Sequence, residues 1–279
     1  MALRFLIIEG NTRRARDAHA AGYGRTPSQS YAAALQEIVP DAVCDVACPA
    51  DEGANLPDPA GLESYDAVFV TGSALNVYDA EPPVLRQLGL MRAVYESGVP
   101  AFGSCWGLQL ATVAAGGEVR PNPHGREIGF ARNIAPTAAG REHPLMAGRP
   151  AAFSAPASHI DTVTLLPAQA VVLAANGLSA VQAAEIRHRK GVFWGVQYHP
   201  EYTLAELASL IERRAKPLAA EGFFRVPEDA TAYAADLRTL DADPARADLA
   251  WRHGLDAEIL DPVLRRRELR NFIAHQVRR

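Results

Sequence analysis

Apolar and polar positions follow two different periods along this chain. Short uninterrupted apolar runs, typical of strands buried on both faces, alternate with stretches in which apolar residues recur every three or four positions, as in helices. The predicted strands cover residues 5–8, 43–47, 66–70, 100–102 and 192–198. This alternation predicts an α/β fold with a mostly parallel central sheet covered by helices.

The predicted helices begin at a capping residue, at a proline or directly after a strand. Their starts are Ser28, Pro82, Trp106 and Thr203. Residues 10–27 and 49–61 are polar and rich in turn-forming residues, which indicates loops. The stretch 118–187 is predicted to form several strands joined by short turns. We expect one domain over residues 1–217. Residues 218–279 carry only helix signals and are expected to form a C-terminal extension that packs on this core or mediates assembly.

Composition narrows the class of protein. A chain of 279 residues, 48% of them hydrophobic, can bury one sizeable core. The formal charge of −4 gives no indication of nucleic-acid binding, and we expect the run 265–267, three arginines, to be a solvated helix face. No apolar run has transmembrane length, the N-terminus does not resemble a signal peptide, and three cysteines make no disulfide framework. We therefore expect a cytoplasmic protein that binds no membrane, metal or cofactor.

Two motifs carry candidate chemistry. Phe-Gly-Ser-Cys-Trp-Gly (102–107) follows a predicted strand and opens a predicted helix, the setting of a nucleophile elbow that exposes Cys105. Gly-Val-Gln-Tyr-His-Pro-Glu (195–201) ends another strand and supplies His199 as a base and Glu201 as the carboxylate that orients it. Each motif alone is compatible with an ordinary structural role. Together, they predict acyl transfer through a thioester.

These motifs resemble those of the class I glutamine amidotransferases over residues 3–215. The resemblance rests on Gly-Ser-Cys-Trp-Gly with Gln109, on Tyr-His-Pro-Glu, on the strand and loop 67–73, and on Ser-His-Ile-Asp-Thr-Val (158–163). The last stretch is similar to that of the GMP-synthetase type of glutaminase domain. Thr71 and Ile160 depart from the family pattern, since many members have glycine at the first position and the GMP-synthetase type has it at the second. The resemblance implies a flavodoxin-like three-layer sandwich.

The resemblance also implies roles for individual residues. Backbone N–H groups of Gly72 and Trp106 are expected to form the oxyanion hole, the second of them also because of the general geometry of an elbow. Gln109 is expected to help hold the glutamine. His159 and Asp161 are candidates for binding its α-amino or α-carboxyl group, although a loop held by local capping bonds explains them equally well.

Three functions stay open at this point. In the first, the protein hydrolyses glutamine and supplies ammonia to an acceptor site on another chain, since this sequence contains no nucleotide-binding motif. In the second, the same Cys105, His199 and Glu201 cleave another γ-glutamyl bond, as in γ-glutamyl peptidases and hydrolases. In the third, Glu9 and Cys105 form a redox-sensing site that resembles DJ-1-like proteins. The sequence leaves the partner protein and the oligomeric state open.

Overall fold

A computed structural model describes residues 2–53 and 61–277 of the chain. Its strands are β1 Arg4–Ile8, β2 Val43–Ala47, β3 Ala67–Val70, β4 Ala101–Ser104, β5 Glu118–Pro121, β6 Glu127–Pro136, β7 Phe153–His159, β8 Asp161–Leu165, β9 Ala170–Ala175, β10 Ala183–His188 and β11 Gly191–Val196. Within the described residues, nine strands form one sheet in the order β2-β1-β3-β4-β11-β10-β9-β6-β7, and β5 pairs with β8.

The central sheet has a parallel half and an antiparallel half. Strands β2, β1, β3, β4 and β11 run parallel to their neighbours. Strands β10, β9, β6 and β7 continue the sheet with antiparallel pairings. Because the carboxyl ends of parallel strands meet at one edge, the residues that follow β1, β3, β4 and β11 come together there. The predicted α/β class is confirmed.

The helices of the described residues cover both faces of this sheet. They are α1 Arg13–Tyr23, α2 Pro27–Ile38, α3 Pro82–Ser97, α4 Trp106–Ala114, α5 Ala138–Glu142, α6 Leu204–Arg213, α7 Ala215–Ala220, α8 Pro227–Ala242, α9 Ala247–His253, α10 Ala257–Leu260, α11 Pro262–Arg265 and α12 Arg267–Gln276. Three short 3₁₀ turns lie at Leu62–Ser64, Val77–Asp79 and Pro144–Met146.

The prediction of a loop over residues 10–27 was wrong, because α1 lies there. This helix buries only His19, so its sequence has no apolar stripe to announce it. The predicted start of α2 at Ser28 is also corrected. Thr26 is the N-cap: its hydroxyl accepts from the backbone N–H of Gln29, whose side chain accepts in return from the Thr26 N–H. Part of the loop predicted over 49–61, residues 54–60, lies outside the described residues.

The core consists of two apolar layers, one on each face of the sheet. Successive side chains of β1 alternate between them: Phe5 and Ile7 pack toward α2 and α12, whereas Leu6 and Ile8 pack toward α3 and α4. All four side chains are almost fully buried. A sheet enclosed in this way forms the middle layer of three.

The C-terminal segment contributes to the first of these layers. The ring of Phe272 in α12 lies 5.5 Å from the rings of both Phe69 and Phe102 and 5.8 Å from that of Trp194. Helix α8, which the sequence analysis did not identify, packs on α6 through a separate apolar cluster. The division of the chain at residue 217 stays a prediction.

The arginine run at 265–267 is not the solvated face that we expected. Arg265 and Arg266 are 5% and 3% exposed. Arg265 donates a hydrogen bond to the carbonyl oxygen of Ile259, and Arg266 forms an ion pair with Glu37 of α2. Arg266 therefore ties the C-terminal segment to α2, whereas Arg265 joins α11 to α10 within that segment.

No helix in the described ranges 2–53 and 61–277 is long and apolar enough to cross a bilayer.

Candidate active site

Cys105 lies in a strained turn between β4 and α4. Its φ of 51° and ψ of −101° are unusual for a residue with a side chain. The flanking glycines permit this turn, because a Cβ on Gly103 would lie 2.8 Å from the Cα of Gly107, and one on Gly107 would lie 2.9 Å from the carbonyl oxygen of Val70. The backbone N–H of Cys105 donates to the carbonyl oxygen of Val196 in β11 (2.8 Å). The nucleophile elbow inferred from the motif is therefore present geometrically.

His199 and Glu201 follow β11 and lie beside the elbow. Nδ1 of His199 is 2.7 Å from Oε1 of Glu201, and both side chains are buried. Burial by itself lowers the pKa of His199, but the negative charge of Glu201 and hydrogen bonds with Cys105 and Glu201 raise it to about 10. With this pKa the ring keeps its proton at neutral pH, and Nδ1 donates to the carboxylate.

Two further contacts hold this pair in place, and the sequence analysis identified neither. The hydroxyl of Ser104 donates to Oε2 of Glu201 (2.8 Å) and lies 3.1 Å from the hydroxyl of Tyr31. The ring of Tyr202 stacks on that of His199, with the centroids 4.0 Å apart and the planes 4° from parallel. Ser104 directly precedes Cys105 in the sequence, and this position is the one sequence signal that could have indicated its role.

Gly72 lies over the imidazole of His199. A Cβ at this position would be 2.6 Å from Cε1 of His199, so only glycine permits the approach. The Gly72 carbonyl accepts from Asn11 Nδ2 and from the Thr71 hydroxyl, both at 2.9 Å. Among the described residues no hydrogen bond occupies the Gly72 N–H. Trp106, at the first position of α4, likewise has an N–H without an intrahelical acceptor.

Glu9, the residue that suggested a redox-sensing site, is fully buried and holds backbone together. Its Oε1 accepts from the N–H and the side-chain amide of Asn11 (both 3.0 Å), and its Oε2 accepts from the Ser28 N–H (2.9 Å). These contacts tie the loop after β1 to the first turn of α2.

Two cavities meet at Cys105. The smaller, about 100 Å³, is lined by Gln109, His159 and Asp161 together with residues that include Arg126 and Arg214. The larger, about 220 Å³, is lined by His199 and Tyr202 on the other side of the sulfur, and Arg214 borders both. The structure thus brings all eight sequence-predicted site residues to one place, and it adds the two arginines.

The predicted binding residues differ in what their side chains can still bind. Both ring nitrogens of His159 are engaged, with Oε2 of Glu127 at 2.8 Å and the carbonyl oxygen of Asp161 at 3.0 Å. The Asp161 carboxylate accepts one hydrogen bond, from Tyr78 (3.1 Å), and burial raises its pKa. Gln109 makes only long contacts, 3.4 Å to Gln197 and 3.5 Å to the Asp161 carbonyl. The side chains of Asp161 and Gln109 can therefore bind a ligand in the smaller cavity, whereas both nitrogens of His159 are already hydrogen-bonded within the protein.

The described residues contain no group of three or more His, Cys, Asp or Glu side chains that could hold a metal ion.

Comparison with known sequences identifies relatives over the region that builds this site. A family model for glutamine amidotransferase class-I matches residues 42–216. The chain is 35% identical over 280 residues to a γ-glutamyl-L-1-hydroxyisopropylamide hydrolase from a Pseudomonas species, covering 99% of this chain and 93% of the relative. It is also 35% identical over 152 residues to a glutamine-hydrolysing GMP synthase of Thermomicrobium roseum, of which it spans only 26%.

Solved structures share the fold at low sequence identity. A glutamine amidotransferase of Thermotoga maritima superposes with a TM-score of 0.68 at 18% identity and full coverage of both chains. A glutamine amidotransferase of Methylobacillus flagellatus gives a TM-score of 0.59 at 22% identity, with 99% of this chain and 93% of that chain covered.

Proposed function

This chain belongs to the class I glutamine amidotransferase family, and on that basis we propose that it hydrolyses an N-substituted γ-glutamyl amide through a thioester on Cys105. The observation that carries the proposal is the thiol of Cys105 beside the hydrogen-bonded pair His199 and Glu201, where two cavities meet and the imidazole lines the larger one. A relative that matches the chain from end to end is named as a hydrolase of one such amide.

The first half of the reaction follows from the position of the sulfur. The Cys105 thiolate attacks the γ-carbonyl carbon, a C–S bond forms, and the negative charge moves to the carbonyl oxygen. We assign the N–H groups of Gly72 and Trp106 to the stabilisation of this oxyanion. The C–N bond then breaks as His199 transfers its proton to the departing amine.

The second half returns the enzyme to its starting state. His199, now neutral, accepts a proton from a water molecule that attacks the thioester carbon. The C–S bond breaks, glutamate leaves, and the thiolate and the imidazolium are restored. Glu201 keeps Nδ1 of His199 protonated throughout, so that Nε2 faces the reacting atoms.

The same geometry orients the substrate. Since the leaving nitrogen must lie near the imidazole that protonates it, the leaving amine occupies the larger cavity, which His199 lines. The glutamyl part then occupies the smaller one, in which Asp161 can bind the α-ammonium group and Arg214 the α-carboxylate, since Arg126 is already paired with Glu221. Gln109 also lines the smaller cavity. His159 is assigned to holding the backbone at Asp161 in place.

A second candidate function is glutamine hydrolysis that supplies ammonia to a synthetase on another chain. The relationship to the glutaminase part of GMP synthases favours it. In that case the larger cavity serves as the exit for ammonia and its mouth lies against the partner protein.

The two candidates are separated by measuring amine and ammonia release side by side. We expect amine release from a γ-glutamyl alkylamide with a kcat/KM well above that for ammonia release from glutamine, and loss of both in Cys105→Ala. Cys44→Ala is the matched control, because Cys44 is only half-buried and lies in β2 away from the cavities. Turnover of glutamine alone would favour the second candidate, and turnover of neither substrate would contradict both.

A further inference from the structure

We propose that the larger cavity binds the α-carboxylate of a small amino acid as the leaving amine, so that the substrates are γ-glutamyl amino acids. The inference rests on the proposed function and specifies its substrate class. Its basis is Arg213, which lines the cavity that also contains His199 and Cys105 and does not border the smaller one.

Arg213 is held at this cavity by neutral partners. Its Nη1 donates to the Ala18 carbonyl oxygen (3.1 Å) and its Nη2 to Nδ1 of His19 (3.2 Å). The side chain crosses α1 at Gly22, where a Cβ would lie 2.9 Å from Cδ of Arg213. The guanidinium is therefore held at the cavity by two hydrogen bonds, neither of them to a carboxylate.

The nearby acidic group is already engaged. Glu206 accepts a hydrogen bond from Nε2 of His19 (3.0 Å), which leaves Nδ1 to accept from Arg213. Among the described residues neither Arg213 nor Arg214 forms an ion pair with a carboxylate. Arg214 donates only a long hydrogen bond to the Ser158 hydroxyl (3.4 Å). Burial lowers the pKa of both groups, and the neighbouring charge of Arg213 lowers that of Arg214 further.

The charge pattern fits an anion attached to the leaving nitrogen. A guanidinium group binds a carboxylate through two parallel hydrogen bonds and retains its charge at any accessible pH. The cleaved bond is an amide, so an anionic substituent next to its nitrogen is most simply the carboxylate of an amino acid. A cavity of about 220 Å³ has room for a small residue and little more.

The test compares γ-glutamyl-alanine with γ-glutamyl-alaninamide, which differ only in carboxylate against carboxamide. We expect the wild-type protein to prefer γ-glutamyl-alanine, and Arg213→Gln to lower its kcat/KM about tenfold or more, mainly through KM, while the value for the amide changes less than about threefold. Lys216→Gln is the matched control, because it removes an exposed positive charge three residues away that does not line either cavity. Arg214 is less suitable, since it borders both cavities.

Binding to the Cys105→Ala protein provides a second readout that needs no turnover. By titration calorimetry we expect a lower Kd for γ-glutamyl-alanine than for γ-glutamyl-alaninamide. This difference should be lost in the double variant Cys105→Ala, Arg213→Gln. Equal effects of Arg213→Gln on both ligands, or an effect equal to that of Lys216→Gln, would overturn the inference. Faster hydrolysis of γ-glutamyl-alanyl-alanine than of γ-glutamyl-alanine would overturn the assignment to a single amino acid. Absence of turnover with the binding preference intact would instead contradict the proposed function.

Discussion

The hydroxyl of Tyr198 donates a 2.8 Å hydrogen bond to Oε1 of Glu268. Tyr198 directly precedes His199, whereas Glu268 lies in α12, near the end of the chain. The same carboxylate accepts from Arg149 at 2.7 and 2.6 Å, and both partners of this ion pair are fully buried. The C-terminal segment therefore contacts the strand end that positions the imidazole.

Removing this carboxylate should be costly. Glu268→Ala leaves the buried charge of Arg149 with Glu258 as its only acidic partner among the described residues, so we expect a loss of about 3–5 kcal/mol in the free energy of unfolding. Tyr198→Phe removes one neutral donor and should cost about 1 kcal/mol. Urea denaturation of the two variants measures the difference. Equal losses would show that the ion pair does not dominate.

The aromatic contacts of α12 predict that it stabilises the central core. Phe272→Ala empties the space between Phe69, Phe102 and Trp194, and we expect it to lower the free energy of unfolding by about 3–5 kcal/mol. Trp251→Ala is the control, because that side chain is 86% exposed, and its effect should stay within about 0.5 kcal/mol. A small effect of Phe272→Ala would mean that α12 is separable from the core.

Gly72→Ala tests the contact between the loop after β3 and the imidazole. The added methyl group would lie 2.6 Å from Cε1 of His199, so either the ring or the loop must move. We expect kcat to fall on the order of 10²–10³-fold, as when an oxyanion donor is lost, with the fold retained. Gly89→Ala, in α3 with no atom within 4 Å of its Cβ position, should instead stabilise the protein by about 0.5–1 kcal/mol. Unchanged kcat in Gly72→Ala would exclude this role for the loop.

The raised pKa of His199 predicts the alkaline limit of activity. The leaving amine takes its proton from His199, so kcat/KM should fall as the pH rises through about 10. Glu201→Gln removes the charge that raises this pKa, so the fall should occur at lower pH, and kcat at neutral pH should drop on the order of 10²–10⁴-fold. A pH profile of both proteins measures the shift. An alkaline limit at the same pH in both would contradict the role of Glu201.

The raised pKa of His199 also makes the stability of the folded protein depend on pH. Because the pKa of His199 is raised from the ordinary value of 6.5 to about 10 on folding, its proton stabilises the folded state fully below pH 6.5. This contribution decreases as the pH rises and is lost above about 10. The melting temperature of the wild-type protein should therefore fall more steeply between pH 7 and 10 than that of Glu201→Gln.

The parallel strands and the turn at Cys105 could be predicted from the sequence, because the patterns that indicate them are local. Uninterrupted apolar runs predicted the parallel strands, and the glycines around Cys105 predicted the strained turn that the backbone adopts. The spacing of His199 and Glu201 predicted that their side chains lie on one face, and Nδ1 and Oε1 are 2.7 Å apart. Helix α1 escaped prediction because it lies on the surface with a single buried residue.

What the sequence alone determined was the α/β class, the family and the candidates Cys105, His199 and Glu201, since each follows from a short pattern. Only the tertiary structure decided that Arg265 and Arg266 are buried, that Glu268 contacts the strand end at Tyr198, and that Arg213 lines the larger cavity. These are contacts between residues far apart in the chain. Burial and pairing of a charged side chain depend on which distant surface packs against it, and no local period or motif records that.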